Sequence, residues 1–193
     1  MRVYAMIGLL LLTIWALMGC GQRGLSVDEY HDQVIRMLKS DPSQPEVASE
    51  DSGFASMVSL LLSDLDCMGQ ACTLPLRFEH LRDLAREDRP QLSDYRGQLC
   101  DKTFQPPAQE KDTHQKICTE LLRIFQEVGA IETTSDIALR FFSNTPGEPL
   151  ESAVQIALEG AAANLARSQH NIREALASLQ QIAWLKPALP SLP

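Results

Sequence analysis

The sequence predicts an all-α protein, a single helical domain of six or seven helices with a long C-terminal helix and two disulfides. Apolar residues recur at spacings of three and four along most of the chain, whereas β-branched residues seldom cluster and no alternating run predicts a strand. The chain has 193 residues, 45% of them apolar, which is enough for one buried core. Its net charge of −8 excludes a nucleic-acid partner, because phosphate binding needs clustered Lys and Arg.

The first predicted helix covers residues 26–40. Ser26 and Glu29 have the spacing of a capping box, in which each side chain bonds the other residue's backbone N–H. Its apolar face follows at helical spacing and consists of Val27, Tyr30, Val34 and Leu38. Residues 41–52 are polar and contain two prolines, which predicts a flexible linker before a helical domain over residues 53–186.

Within that domain the apolar periodicity predicts separate helices divided by proline and glycine. They cover residues 54–66, 76–88, 91–100, 112–128 and 135–143, and a last helix begins near Leu150, keeps its apolar period to Ala183 and stops before Lys186. Pro90 is expected to separate the second and third of these helices, and Gly129 to end the fourth as a C-cap. The residues 187–193 form a Pro-rich tail.

Charged residues of both signs alternate along residues 76–88. They are Arg77, Glu79, Arg82, Asp83, Arg86, Glu87, Asp88 and the following Arg89. This mixture predicts a solvated face with ion pairs rather than a basic docking site. The four histidines (His31, His80, His114 and His170) are scattered singly. We interpret each as a polar group on a helix surface, although His80 beside Glu79 and His114 near Asp112 have the composition of acid–base pairs.

The N-terminus has the pattern of a secretory signal peptide over residues 1–19. Arg2 supplies a positive charge, and the uncharged apolar run from Val3 to Met18 is too short for a membrane span of about 20 residues. The run ends in Leu17-Met18-Gly19-Cys20.

This ending resembles the lipobox of bacterial lipoproteins, and the resemblance covers only the first 20 residues. It implies that the Cys20 thiol receives a diacylglyceryl group, that the signal is cut before Cys20, and that the new amino group is acylated, typically with palmitate. Cys20 would then anchor the chain in the lipid bilayer through a tether over residues 20–25. Gly21 in place of Asp favours the periplasmic face of the outer membrane. An uncleaved signal anchor is the alternative.

Four cysteines remain beyond the lipobox: Cys67, Cys72, Cys100 and Cys118. An even number in an oxidising compartment predicts two disulfides. We favour Cys67–Cys72 with Cys100–Cys118, and the nested pairing of Cys67 with Cys118 and Cys72 with Cys100 remains open. A zinc site is disfavoured because no two of these cysteines have the C-x₂-C spacing, so no metal is expected.

No nucleophile elbow, zinc-protease, phosphate-loop or dinucleotide-binding motif occurs, which predicts a protein that is not an enzyme and has no cofactor. The C-terminal residues offer a different kind of site. The candidates for partner binding are Trp184, Leu185, Pro187, Leu189 and Pro190. They either close the end of the last helix or form an exposed apolar tail, with prolines spaced as in polyproline ligands.

Three functions compete at this point. The first is a non-enzymatic scaffold or assembly factor for an envelope protein complex, similar in size and class to the pilotin lipoproteins of secretion systems. The second is an immunity or inhibitor lipoprotein, whose acidic charge would steer it to a basic toxin or hydrolase. The third is an enzyme, acting for example on peptidoglycan, with a site that no motif reveals. An exposed apolar groove would favour the first function and an acidic face the second.

Overall fold

A computed structural model describes residues 25–40, 53–66, 74–144 and 152–191, and all regular structure in these ranges is helical. The helices are α1 (Val27–Lys39), α2 (Phe54–Asp66), α3 (Leu74–Cys100), α4 (Lys111–Asn144) and α5 (Ser152–Gln180), with short 3₁₀ helices at Ala108–Glu110 and Ala183–Ala188. The all-α prediction is confirmed for this part of the chain. The signal peptide, Cys20, the linker, Cys67 and Cys72 lie outside the described residues.

Helices α3, α4 and α5 form an antiparallel layer with α4 in the middle. Ion pairs join Arg89 of α3 to Glu132 of α4, and Arg123 of α4 to Glu174 of α5. The buried apolar residues of α4 lie on one helical stripe: Ile117, Leu121, Ile124, Val128, Ile131 and Ala138. Because they share one stripe, the layer has one covered face and one open face. Helices α1 and α2 and the C-terminal 3₁₀ helix pack around the core on the covered side.

Helix α1 forms as its sequence predicts. The Ser26 backbone N–H donates to the Glu29 carboxylate at 2.9 Å, and the Glu29 N–H donates to the Ser26 hydroxyl at 3.3 Å, which confirms the capping box. At the other end of the helix, the buried Tyr95 hydroxyl of α3 donates to the Ser40 carbonyl at 2.8 Å. This bond satisfies a carbonyl that the helix end would leave free, and it ties α1 to the central layer.

Two predicted helix boundaries are wrong. Helix α3 continues through Pro90, and α4 continues through Gly129 for a total of 34 residues. Proline removes one backbone hydrogen bond, to the carbonyl of Arg86, but both residues are exposed, so water can replace the lost donor. Gly129 has no left-handed backbone angle and lies near the Arg89 guanidinium with room for a Cβ, so it is an ordinary helical residue and not a C-cap.

A disulfide joins Cys100, at the end of α3, to Cys118, in the first turns of α4. This confirms one half of the favoured pairing and excludes the nested alternative, which used both residues with other partners. The bond closes a loop with a sequence separation of 18 residues. In the chain-entropy description such a loop contributes about 3 kcal/mol. The second disulfide stays a prediction.

The charged face of α3 is mostly as predicted, with one correction. Arg82, Arg86 and Arg89 reach across to Glu132 and Asp136 of α4. Asp88, however, is not solvated.

Asp88 is only 5% exposed, and its Oδ2 atom has no hydrogen-bond partner. Burial, with a smaller contribution from the charge of Glu87, raises the pKa of Asp88 to about 7. Its position among the core residues of α3 places a carboxyl group where an apolar residue is normal.

Alanine substitutions should distinguish a glycine that has room for a side chain, Gly129, from one that does not, Gly53. At Gly129 a new Cβ would be 3.6 Å from the Arg89 guanidinium, an ordinary contact, so Gly129→Ala should stabilise the protein by about 0.5–1 kcal/mol. At Gly53 the Cβ would lie 2.9 Å from the carbonyl oxygens of Leu38 and Lys39, so Gly53→Ala should destabilise by about 1–3 kcal/mol. Urea unfolding measures both; destabilisation by Gly129→Ala would restore the C-cap interpretation.

Asp88 should make stability depend on pH. Because its pKa rises from 3.8 to about 7 on folding, the folded state binds the extra proton between these values, and stability falls as pH rises through this window. Asp88→Asn should leave stability unchanged near pH 4 and raise it by about 2–4 kcal/mol at pH 8. Unfolding at pH 4, 6 and 8 tests this, with Asp94→Asn on the exposed side of α3 as control. Equal pH slopes for Asp88→Asn and the wild type would refute it.

Candidate functional site

Five aromatic side chains meet where α1, the loop before α4 and the C-terminal segment come together. This basal cluster consists of Tyr30, His31, Phe104, His114 and Trp184. Tyr30 lies at its centre, fully buried, with ring centroids 5.7–5.9 Å from those of its four neighbours. The cluster brings together residues from four separate parts of the chain, so it forms only when the whole fold is in place.

The polar atoms of Tyr30 and His114 have partners in or beside the cluster. The Tyr30 hydroxyl lies 3.1 Å from Nδ1 of His114, and Nε2 of His114 lies 3.6 Å from the Cys118 sulfur. Burial raises the pKa of Tyr30 and lowers the pKa of His114. Tyrosine therefore stays protonated and donates to a neutral imidazole, an arrangement that stabilises packing without supplying a reactive base.

His31 connects the C-terminal segment to the loop before α4. Its ring stacks on Trp184 with centroids 4.0 Å apart and planes 17° from parallel. Its Nε2 atom lies 3.2 Å from Oε1 of Glu110, and the two side chains are only 20% and 15% exposed. The prediction that every histidine lies on the surface is therefore wrong for His31 and His114, whereas His80 and His170 are indeed exposed.

The C-terminal tail is folded rather than free. Leu185 is fully buried, Leu189 and Pro190 are buried, and Trp184 is half-buried, while Pro187 is exposed. The Gln180 amide donates to the Pro190 carbonyl at 2.8 Å, which turns the segment back along the end of α5. Of the two alternatives for the C-terminal residues, closure of the end of the last helix is confirmed for residues 183–191, and the exposed, extended tail is wrong, because their apolar side chains complete the core beside α1. Partner binding by these residues stays a prediction.

An open groove of about 600 Å³ lies on the uncovered face of the layer, between α4 and α5. Its walls are mainly polar and include Arg89, Thr133, Thr134, Asn164, Arg167 and Asn171. The volume falls in the range of typical ligand and peptide sites.

The charges in the groove are unevenly satisfied. Arg89 donates to Glu132 at 3.1 Å, and the Asn171 amide donates to Glu127 at 2.8 Å. Arg167 is exposed and has no ion-pair or hydrogen-bond partner among the described residues. Because Arg89 is paired with Glu132 and Glu127 also lines the groove, Arg167 is the one cation in these walls that has no ion-pair partner among the described residues.

The groove continues into an apolar mouth at the end of the layer where α4 ends and α5 begins. Ile137 and Phe141 follow the lining residue Thr133 at steps of four along α4 and are 49% and 38% exposed. Ile156 precedes Arg167 by 11 residues on α5, about three turns, and is 68% exposed. These three side chains define the distal mouth. Gly160 lies between Ile156 and Arg167, with open space where a side chain would be.

The sequence predicted a helix over residues 135–143 but did not mark Ile137 and Phe141 as candidate binding residues. Helical spacing in the sequence could have shown that these two residues are exposed. Ile137 and Phe141 fall outside the apolar stripe that Val128, Ile131 and Ala138 continue along α4. No sequence pattern singles out Arg167, because whether it has an ion-pair partner depends on which helix packs against α5.

Comparisons with protein-family models, with curated proteins and with solved structures found no match. Within the described ranges, no helix is long and apolar enough to cross a membrane. The same ranges contain no group of three or more His, Cys, Asp or Glu side chains that could hold a metal ion.

The buried tail should be essential for stability. Leu185→Ala removes a fully buried side chain and should destabilise the protein by about 2–5 kcal/mol. The neighbouring exposed Lys186 offers a matched control, and Lys186→Ala should change stability by less than about 0.5 kcal/mol. Thermal or urea unfolding of both variants measures the difference. Equal stability of the two variants would mean that the segment is free in solution.

Proposed function

We propose that this chain is a lipid-anchored, periplasm-facing scaffold or assembly factor that binds a protein of an envelope complex and performs no chemistry itself, in the manner of pilotin lipoproteins. The observation that carries the proposal is the position of the groove: its distal mouth lies at the end of the layer opposite the N-terminal tether. Partner and membrane would then be held at opposite ends of one rigid body.

The distances support this division. Leu25, the last residue of the tether, packs against the core just before α1, whose Tyr30 belongs to the basal cluster. A tether over residues 20–25 reaches at most about 20 Å from that point. Helix α4 has 34 residues, about 51 Å, and starts at the basal cluster, so Phe141 lies about 45 Å farther along. The distal mouth would therefore face away from the bilayer.

The anchor itself rests on the lipobox. Several acyl chains on Cys20 would exceed the two signals needed for stable membrane attachment, and Gly21 favours the periplasmic face of the outer membrane. The Cys100–Cys118 disulfide agrees with an oxidising compartment such as the periplasm.

The location of the perturbed titratable groups favours binding over catalysis. Tyr30 and His114 pair inside the basal cluster, and Asp88 is buried in the layer. None of them lines the groove. An immunity or inhibitor role would instead use the acidic surface against a basic target, because the cationic Arg167 in the groove would repel such a target.

Photo-crosslinking in intact envelopes tests the proposal. Benzoylphenylalanine at Ile137 or at Ile156, both exposed, should capture the same envelope protein. The same probe at Lys102, an exposed position near the basal end, is the matched control and should not capture it. Cys20→Ser should release the protein from the membrane fraction and abolish capture by removing it from its partner's surface.

A basic secreted toxin or hydrolase captured from acidic surface positions such as Asp83 or Glu79 would replace the scaffold proposal with the inhibitor function. Absence of a captured protein at groove and surface positions, with the protein expressed and lipidated, would refute both.

A further inference from the structure

We propose that the groove between α4 and α5 receives one amphipathic helix of the envelope partner, with apolar side chains in the distal mouth and an Asp or Glu side chain paired with Arg167. This inference deepens the proposed function and rests on it, because it states what kind of segment the partner must present.

The shape of the site favours a helix. Two antiparallel helices form the walls, and a third helix can lie along the groove between them at the usual spacing of 8–10 Å. On α5, Gly160 lies seven residues before Arg167 and therefore on the same side of the helix, and a Cβ at Gly160 would meet nothing within 4 Å, which leaves room for a close approach. An extended segment would need a free strand edge to bond with, and no strand exists in the described ranges.

The distal mouth supplies apolar contact area. Ile137, Phe141 and Ile156 are exposed, and they belong to two helices that face each other across the groove. Exposed apolar side chains that cluster at the end of a groove mark an interaction site more than scattered ones do. On a partner helix, apolar residues at positions i and i+4 would match this spacing.

The charge of Arg167 predicts which side chain the other end of the partner helix carries. Arg167 is an exposed cation without a partner in the described ranges, whereas Arg89 is already bonded to Glu132. A carboxylate is the group that an arginine binds best, with two parallel hydrogen bonds. Ile156 and Arg167 are 11 residues apart on α5, so the apolar and acidic positions should be about 16 Å, or three helical turns, apart on the partner.

A second copy of this chain fits the charge less well. Each copy carries a net charge of −8, so two copies repel one another at long range. A short acidic patch on a partner helix, by contrast, meets Arg167, which has no partner in the described ranges. Self-association is therefore an outcome that would contradict the proposal.

The test maps the captured segment and then swaps the charge. Benzoylphenylalanine at Ile137, Ile156 or Asn164 in the full-length, lipidated protein should crosslink to one segment of the partner, located by mass spectrometry. A synthetic peptide of that segment is then titrated against the purified, lipid-free chain by fluorescence anisotropy.

Arg167→Glu should weaken peptide binding about tenfold or more, and replacement of the peptide's carboxylate by Lys should restore it. Ile156→Ser should weaken binding about fivefold, and Lys102→Glu, far from the groove, should leave it unchanged. Arg167, Ile156 and Lys102 are exposed, so the variants should fold, and their thermal unfolding is checked against the wild type.

The mapped segment decides the outcome. A helical segment with an Asp or Glu about three turns from its apolar residues, together with charge-swap rescue, supports the proposal. A basic or extended segment, a second copy of this chain, or binding unaffected by Arg167→Glu overturns it. Capture of an envelope protein only from positions outside the groove overturns this inference while leaving the scaffold function intact, and capture from no position overturns both.

Discussion

The buried apolar stripe of α4 is the constraint on which the rest of the structure depends. It runs from Ile117 to Ala138 along one side of a 34-residue helix. A helix of that length with a single apolar side cannot be covered by one neighbour, so α3 and α5 flank it and α1, α2 and the C-terminal segment complete the core. Covering one side leaves the other side of α4 open, and that open side forms the groove.

The two ends of this layer are built differently. At the basal end, Tyr30, His114 and Trp184 fill the space between α1, α4 and the C-terminal segment, and the Cys100–Cys118 disulfide holds the loop beside them. Aromatic packing and a covalent bond give this end a fixed shape. At the distal end, Ile137, Phe141 and Ile156 remain exposed. The chain enters α1 at the basal end, so the less covered end is the one farther from Leu25.

The arginines of the layer also differ in whether they have ion-pair partners. Across the layer, Arg86 and Arg89 of α3 are paired with Glu132 and Asp136 of α4. Arg167 has no ion-pair partner among the described residues, whereas Asn171, one turn farther along α5, bonds to Glu127 and Arg123 of α4. The groove therefore holds one cation without a partner in the described ranges, although the protein as a whole is negative.

The buried side of each helix could be predicted from the chain alone. Val34 and Leu38 in α1 and Leu61 and Leu65 in α2 are buried, as their spacing predicts. The capping box at Ser26 is equally local, since it needs only residues within one turn.

Helix boundaries, the folded tail and the groove depended on tertiary structure. Pro90 and Gly129 are helix breakers by local preference, but packing of α3 against α4 outweighs a cost of about 1–3 kcal/mol at each. Leu185 is buried only because α1 and α5 offer a matching surface, and Ile137 is exposed only because no helix covers that side of α4. Sequence by itself determined which residues can be helical and apolar. Tertiary structure decided which of those apolar surfaces are covered, because coverage depends on neighbours that are distant in the chain.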